Sequence, residues 1–194
     1  MINSKVDHCT SLSELYDEFR NQQTEAHGDF YCAQHDAMQK LMKNCDSYKE
    51  LGTHQGASAA AACLTNPKKV ELVDKTLEKF NRSRHLFVDY CRENNITLKT
   101  YEMSSIDPRC AGPVDLLLID SLHTADHLAK ELKLHAQYTR KYIVCHDTSI
   151  LHGRPNDSLY QMLVSFTSGI TPWQITERET RNVGYTVLSN TVNV

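Results

Sequence analysis

Short apolar runs that alternate with amphipathic segments constrain the fold of this chain more than any other feature of its sequence. The run Val114–Ile119 holds four consecutive aliphatic residues and is followed directly by Asp120, which is typical of a strand buried on both faces. Strands of this kind separated by helices imply a parallel sheet with helices packed on both sides. We therefore predict an α/β fold built on a doubly wound, mostly parallel sheet.

The same periodicity gives seven strands, and the last two differ from the others because a charged turn rather than a helix joins them. These two are predicted to form an antiparallel C-terminal hairpin at one edge of the sheet. The strands are predicted at 48–51, 70–73, 96–101, 114–119, 142–145, 173–176 and 183–188. The helices are predicted at 12–19, 37–42, 57–64, 77–91, 128–136 and 159–166.

Residues 1–45 are predicted to form a short N-terminal helical cap rather than a separate domain. This region contains two short helical patterns with a polar stretch, 21–29, between them. Residues 46–194 carry the alternating pattern and are predicted to be the core. The 194 residues are the usual length of one domain, and a chain of this size can bury a core without disulfides or a structural metal.

The charge balance gives no electrostatic reason to expect a nucleic-acid or membrane partner. Lys and Arg together number 21 against 24 Asp and Glu, for a net charge of −3, whereas such partners attract basic surfaces. No apolar run approaches the roughly 20 residues that a membrane span requires. We therefore expect a small-molecule or glycan partner, and no nucleic acid or membrane.

The seven cysteines are scattered, odd in number and without a C-x-x-C pair. This pattern argues against a disulfide framework and against a cysteine zinc site, and it favours a reducing compartment. The first residues contain no apolar segment of the secretory type. The expected location is therefore the cytoplasm.

A glycine-containing turn follows the first predicted strand. Gly52 and Gly56 form a G-x-x-x-G spacing, and Asp74 ends the next strand 22 residues after Gly52. The turn lacks the spacing of a dinucleotide fingerprint and the GK[ST] of a phosphate loop, so it is either a ligand-binding turn or a plain strand-to-helix turn. Asp74 could accept hydrogen bonds from ribose hydroxyls or cap a helix.

Polar side chains follow the fourth and fifth predicted strands. Asp120 and His123 come after the fourth, and His146 and Asp147 end the fifth. Parallel neighbours bring their carboxyl ends together at one edge, where ligands bind in such sheets. Three interpretations are open: the aspartates cap turns, the group binds a divalent metal, or His123 acts as a general base without metal.

The Glu50-x-Gly52-x-x-x-Gly56 pattern and Asp74 resemble the class I S-adenosylmethionine-dependent methyltransferases over roughly residues 34–190. The resemblance implies a Rossmann-like methyltransferase fold with S-adenosyl-L-methionine (SAM) as cofactor and its ribose on Asp74. The segment between the third and fourth strands is too short for the helix that the family usually has there. Its serines, Ser104 and Ser105, either lie where the family contacts adenine or only form a turn. The residues that the resemblance implies for cofactor contact are Glu50, Gly52, Thr53, His54, Gly56, Ser58, Asp74, Ser104, Ser105 and Asp120.

The Asp120-x-x-His123 spacing with the pair after the fifth strand is similar to the metal-dependent sugar O-methyltransferases and the cephalosporin-hydroxylase-like branch. This resemblance implies a divalent metal on Asp120, His146 and Asp147, with His123 as general base and Asp120 beside it in the catalytic centre. His146 stands where the family has Glu, which removes one hard oxygen ligand and favours Mn²⁺ over Mg²⁺.

Together these features lead us to expect an enzyme that transfers the methyl group of SAM to a sugar hydroxyl. The resemblance implies a sugar acceptor, for example a deoxysugar such as rhamnose in a glycan. Two alternatives stay open from the sequence. The chain could be a metal-independent small-molecule O-methyltransferase, or a cofactor-binding module of a larger glycan-modifying protein.

Overall fold

The structure of the chain is a computed structural model that describes residues 6–151, 154–155 and 157–192. A seven-stranded sheet forms the centre of this part of the chain. The strands are β1 (Ser47–Leu51), β2 (Lys69–Asp74), β3 (Thr97–Glu102), β4 (Val114–Ile119), β5 (Thr139–His146), β6 (Ile150–Leu151), β7 (Arg154–Pro155), β8 (Trp173–Glu179) and β9 (Tyr185–Asn190). The short strands β6 and β7 pair with each other outside the large sheet.

The large sheet has the order β3-β2-β1-β4-β5-β9-β8. Strands β1 to β5 run parallel to one another, whereas β9 runs antiparallel to both β5 and β8. The chain reverses its direction of winding between β1 and β4, which is where ligands bind in sheets of this topology. The predicted fold class, with its antiparallel terminal hairpin, is confirmed.

Helices cover both faces of the sheet. One apolar cluster lies between the sheet and the helices that precede β3, and a second lies between the sheet and the helices that follow β4. The helices are α1 (Leu12–His27), α2 (Ala33–Met42), α3 (Ala57–Cys63), α4 (Glu78–Asn81), α5 (Arg84–Glu93), α6 (Ala125–His135) and α7 (Ser158–Thr167).

The N-terminal helices pack on α3 rather than standing apart from the sheet. Residues 59–63 of α3 are four alanines and a cysteine, all fully buried, and such small side chains let helices approach closely. Leu12, Leu15 and Phe19 of α1 belong to the same apolar cluster as this segment. Their burial holds α1 and α2 over the carboxyl edge of β1.

Two helices differ from the sequence prediction. Helix α1 continues through most of the polar stretch 21–29 because no Gly or Pro interrupts it before Gly28, whose N–H closes the last turn on the Thr24 carbonyl. The predicted helix 77–91 is divided into α4 and α5 around Ser83. Between β3 and β4 the chain makes only the short 3₁₀ turn Pro108–Cys110, so this connection is as short as the sequence indicated.

Among the described residues, no helix combines the length and the apolar character that a membrane crossing requires. The seven cysteines are all free thiols, and five of them are buried.

Candidate active site

A cavity of about 580 Å³ opens at the carboxyl edge of the sheet. Its floor is formed where β1, β2, β4 and β5 end, and its walls come from the turn after β3, the first turns of α3 and α6, and α1, α2 and the turn between them. All the side chains with candidate chemistry that the sequence placed after strands fall in or beside this cavity.

The turn after β1 depends on two glycines with left-handed backbones. A Cβ on Gly52 (φ +97°) would lie 1.9 Å from the carbonyl oxygen of Asp120, and a Cβ on Gly56 (φ +89°) would lie 3.0 Å from the Phe87 ring. Gly52 therefore permits the close approach of the β1 and β4 ends, while Gly56 starts α3 against the core. Gly52, Thr53, His54 and Ser58 line the cavity, but Gly56 does not.

Glu50 lies beneath this turn rather than in the cavity lining. Its carboxyl group is fully buried and accepts a hydrogen bond of 2.5 Å from the Ser58 hydroxyl. Burial raises the pKa of Glu50 to about 8. The side chain thus ties α3 to β1 and supports the turn from below.

Asp74 lines the cavity at the end of β2. Its carboxylate accepts a hydrogen bond of 2.7 Å from the backbone N–H of His54 and a longer one, 3.3 Å, from that of Thr76. It does not cap α4, which begins four residues later at Glu78. The carboxylate keeps lone pairs that can receive ribose hydroxyls.

Ser104 and Ser105, which follow β3 beside the end of β2, also line the cavity. The Ser105 hydroxyl lies 2.9 Å from Nε2 of His127, which is itself 3.4 Å from a carboxyl oxygen of Glu131. The Ser121 hydroxyl donates to the same Glu131 oxygen. The sequence interpretation did not assign His127 to this group, because only the packing of α6 brings it to the serines.

Asp120, His123, His146 and Asp147 converge as the sequence predicted for neighbouring strand ends. Nε2 of His123 lies 3.2 Å from Oδ1 of Asp120 and 3.0 Å from Oδ2 of Asp147. Nδ1 of His146 lies 3.3 Å from the same Asp120 oxygen. Asp147 itself has a left-handed backbone (φ +56°), a strained conformation that concentrates at functional sites.

The ionisable groups of this cluster change one another's pKa values. Burial raises the pKa of Asp120, but the imidazoles of His146 and His123 outweigh burial and hold it well below its ordinary value. The hydrogen bond to Asp120 raises the pKa of His123. Burial lowers the pKa of His146, yet the neighbouring carboxylates outweigh this effect and raise it to about 9.

Three of these residues fit a divalent metal. Asp120, His146 and Asp147 each offer one ligand atom, and these atoms lie within 4.8 Å of one another. Two carboxylate oxygens and one imidazole nitrogen suit Mn²⁺ or another borderline ion better than an all-oxygen ion such as Mg²⁺. The cluster can thus hold a metal, or it can orient His123 directly through the two carboxylates.

The N-terminal helices add a polar wall to the cavity. The rings of His27 and Tyr31 stack at 4.4 Å, and Tyr31 meets the His146 ring edge-on at 5.9 Å. The tip of the β8–β9 hairpin holds this turn: the Asn182 amide donates to the His27 carbonyl oxygen at 2.6 Å, and the Arg181 guanidinium lies over the Phe30 ring. The residues of this wall are Gln23, His27, Tyr31, Gln34 and His35.

The sequence indicates only two residues of this wall. Gln34-His35-Asp36 lies just before the predicted core, where the sequence is compatible either with a contact to the cofactor or with a helix start capped by Asp36; in the structure Gln34 and His35 line the cavity. Asp36 turns away and forms an ion pair of 2.6 Å with Arg20. No sequence pattern marked Gln23, His27 or Tyr31 as cavity residues, because the first two lie in the polar stretch 21–29 between the two predicted helices.

No family model matches this chain, and no curated protein matches its sequence. Solved structures do match over nearly the whole length. An O-methyltransferase from Bacillus cereus in complex with S-adenosylhomocysteine (SAH) is 14% identical, with a TM-score of 0.65, over 94% of this chain and 91% of that chain.

Two further structures are similar. The O-methyltransferase TomG from Streptomyces achromogenes, in complex with SAM, is 12% identical with a TM-score of 0.62, over 96% of this chain and 92% of that one. An SAH-bound methyltransferase from Podospora anserina is 14% identical with a TM-score of 0.62, over 93% and 87%. At these identities the likeness concerns the fold, and the chain has the fold of the class I SAM-dependent O-methyltransferases.

Proposed function

We propose that this chain is an O-methyltransferase that transfers the methyl group of SAM to a hydroxyl of a small acceptor. The observation that carries the proposal is one cavity that joins the Gly52 turn and Asp74 to the cluster of Asp120, His123 and Asp147. The fold places these two groups at the carboxyl edge where such sheets bind ligands. Similar structures hold SAM or SAH.

The cofactor end of the cavity is the turn after β1. Gly52 and the neighbouring side chains of Thr53, His54 and Ser58 would lie along SAM, with the ribose hydroxyls on Asp74. Ser104 and Ser105 line the side of the cavity on which adenine would lie. This orientation points the reactive methyl group toward the Asp120 end.

The reaction needs an acceptor hydroxyl aligned with the methyl group and a base for its proton. The acceptor oxygen forms a bond to the methyl carbon while the bond from that carbon to sulfur breaks, which leaves SAH. Nε2 of His123 donates its hydrogen to the two carboxylates, so in the neutral ring Nδ1 has the free lone pair and receives the hydroxyl proton. The carboxylates on either side of Nε2, at 3.2 and 3.0 Å, orient the ring and stabilise the imidazolium that forms.

Asp120, His146 and Asp147 would hold a divalent metal in the same cluster. A bound divalent ion would lower the pKa of the acceptor hydroxyl and fix its position. Adjacent hydroxyls of a sugar or of a catechol would chelate such an ion. The acceptor we propose is a sugar, for example a deoxysugar such as rhamnose, because the Asp120-x-x-His123 spacing resembles the sugar O-methyltransferases.

A metal-independent O-methyltransferase is the second candidate, and one observation favours it. Nε2 of His123 already bridges the carboxylates of Asp120 and Asp147. The chain can therefore position its base through its own side chains.

Binding of SAM to an Asp74→Ala variant tests the shared part of both candidates. The variant loses charge-assisted hydrogen bonds to ribose, each about 1.5–3 kcal/mol, so calorimetry should show affinity reduced by at least about tenfold. Asp17→Asn, on the exposed side of α1, is the control and should bind SAM like the wild type. A folded Asp74→Ala variant with unchanged SAM affinity would contradict the proposed cofactor orientation.

A further inference from the structure

The first turn of α2 presents two neighbouring polar side chains to the cavity. Gln34 and His35 line it, although only 4% and 5% of their surfaces are exposed. Within the described residues, Nε2 of Gln34 and Nδ1 of His35 have no hydrogen-bond partner. Buried polar atoms are nearly always paired in folded proteins. Neighbouring atoms cover both of these atoms, and a rotation of each side chain would turn them toward a ligand in the cavity that completes their hydrogen bonds.

The two side chains are both uncharged in this environment. Burial, with the nearby His146, lowers the pKa of His35 to about 4, so its imidazole is neutral near pH 7. A neutral imidazole has one donor and one acceptor nitrogen, and the amide of Gln34 has both kinds of atom. A hydroxyl group matches this pair, because its oxygen can accept from the amide while its proton is donated to the ring nitrogen.

The position of the pair relates it to the acceptor rather than to the cofactor. Tyr31, one turn before Gln34 and His35, has its ring edge against His146 of the Asp120 cluster. Asp74, on which the ribose is proposed to lie, is at the end of β2. The stacked rings of His27 and Tyr31 add a flat surface beside the two polar side chains.

We propose that Gln34 and His35 bind hydroxyl groups of a neutral polyhydroxylated acceptor and select it over acceptors that carry only the reacting pair of hydroxyls. The assignment of this wall to the acceptor rests on the proposed methyl transfer. Gln34 and His35 would recognise the part of the acceptor that does not react. A catechol gives these residues nothing to bind, whereas a sugar ring carries additional hydroxyls.

Calorimetry with methyl glycosides of rhamnose, fucose, mannose and glucose tests this assignment, with and without SAH, and with catechol as the comparison. The variants are Gln34→Leu and His35→Leu. We expect at least one glycoside to bind the wild type and to bind each variant about tenfold more weakly, as the loss of a buried hydrogen bond predicts. Catechol binding should change less than twofold, by about the error of such a measurement.

Gln39→Leu on the same helix is the matched control. The Gln39 amide donates to the Ala61 carbonyl oxygen at 3.2 Å and does not line the cavity. This variant should lower the Tm and leave glycoside binding unchanged. Gln34→Leu should weaken glycoside binding without lowering the Tm, because it removes a buried polar group that has no partner in the free protein. A purely structural role for Gln34 would instead lower the Tm and leave glycoside affinity unchanged.

The assignment is overturned if none of the four glycosides binds the wild type, or if the two cavity variants bind them as the wild type does. Methyl transfer is followed separately as SAH formation. Glycoside binding that weakens in the variants, without methyl transfer to any acceptor, would reject the proposed function and keep the recognition site. Methyl transfer to a glycoside with unchanged KM in both variants would keep the function and reject the site.

Discussion

At the scale of single residues, His123 carries the proposed proton transfer. A positioned general base contributes about 10²–10⁴-fold to the rate, so His123→Ala should lower kcat by that factor. Affinity for SAM, measured by calorimetry, should stay unchanged because the cofactor lies on the β1 turn. His85→Ala, at an exposed position in α5, is the control. A kcat near that of the wild type in His123→Ala would show that another group accepts the proton.

The metal ligands allow a second test at this scale. If Asp120, His146 and Asp147 hold a divalent ion, treatment with EDTA should abolish turnover, and Mn²⁺ should restore it at lower concentration than Mg²⁺ because His146 supplies nitrogen. Asp147→Asn should raise the Mn²⁺ concentration needed for half-maximal activity. Full turnover after exhaustive chelation would instead support the metal-independent candidate.

Glu50 makes the stability of the protein depend on pH. Its pKa is about 8 when folded and near 4.5 in its ordinary environment, so the group is protonated in both states below about pH 4.5. As pH rises toward 8, the unfolded chain gives up this proton first. The free energy of unfolding should therefore fall, at up to about 1.4 kcal/mol per pH unit.

Glu50→Gln should remove this fall, because a Gln side chain can still accept from Ser58 and does not ionise. Urea denaturation should give equal stability for the variant and the wild type near pH 4.5, and a more stable variant near pH 8. Glu93→Gln, at an exposed position, controls for the loss of one charge. Parallel pH profiles for Glu50→Gln and the wild type would show that Glu50 is ionised in the folded protein.

At the scale of elements, the turn between β1 and α3 sets the shape of the site. Gly52→Ala would force a Cβ to within 1.9 Å of the Asp120 carbonyl oxygen, and we expect a loss of at least about 2 kcal/mol in stability. SAM affinity should fall as well, because Asp120 must move. Urea denaturation and calorimetry measure the two effects.

Gly112→Ala is the control, since no heavy atom lies within 4 Å of its added Cβ and its backbone is not left-handed. Equal stability of the two alanine variants would mean that the β1 and β4 ends can separate without cost.

The strands could be predicted because each is a short apolar run bounded by polar residues, and all seven predicted segments overlap strands of the large sheet. The helix boundaries were less well predicted. Residues 20–27 contain no apolar periodicity, so their helical state follows from chain continuity and the cap at Gly28 rather than from a pattern. The division at Ser83 had no signal, because Leu77, Phe80 and Phe87 keep helical spacing across it.

At the scale of the whole molecule, the convergence of Asp120, His123 and Asp147 was predictable from topology alone, because parallel neighbours end at the same edge. The polar wall of α1 and α2 was not predictable in this way. Gln23 and His27 reach the cavity because they continue the face of α1 whose earlier turns, at Leu12, Leu15 and Phe19, are buried against α3. Which side of a helix faces a ligand depends on this packing, and polar residues alone do not reveal it.

The contact between Asn182 and the His27 carbonyl joins positions 155 residues apart. Ribosomes make the chain from its N-terminus, so α1 and the turn after it emerge long before the hairpin tip that holds them. Strand β9, which pairs with both β5 and β8, also follows α1 by more than 150 residues. A nascent chain therefore cannot assemble the complete cavity until Asn182 and β9 have been synthesised, and truncation after β8 removes both the pairings of β9 and the anchor of the cavity wall.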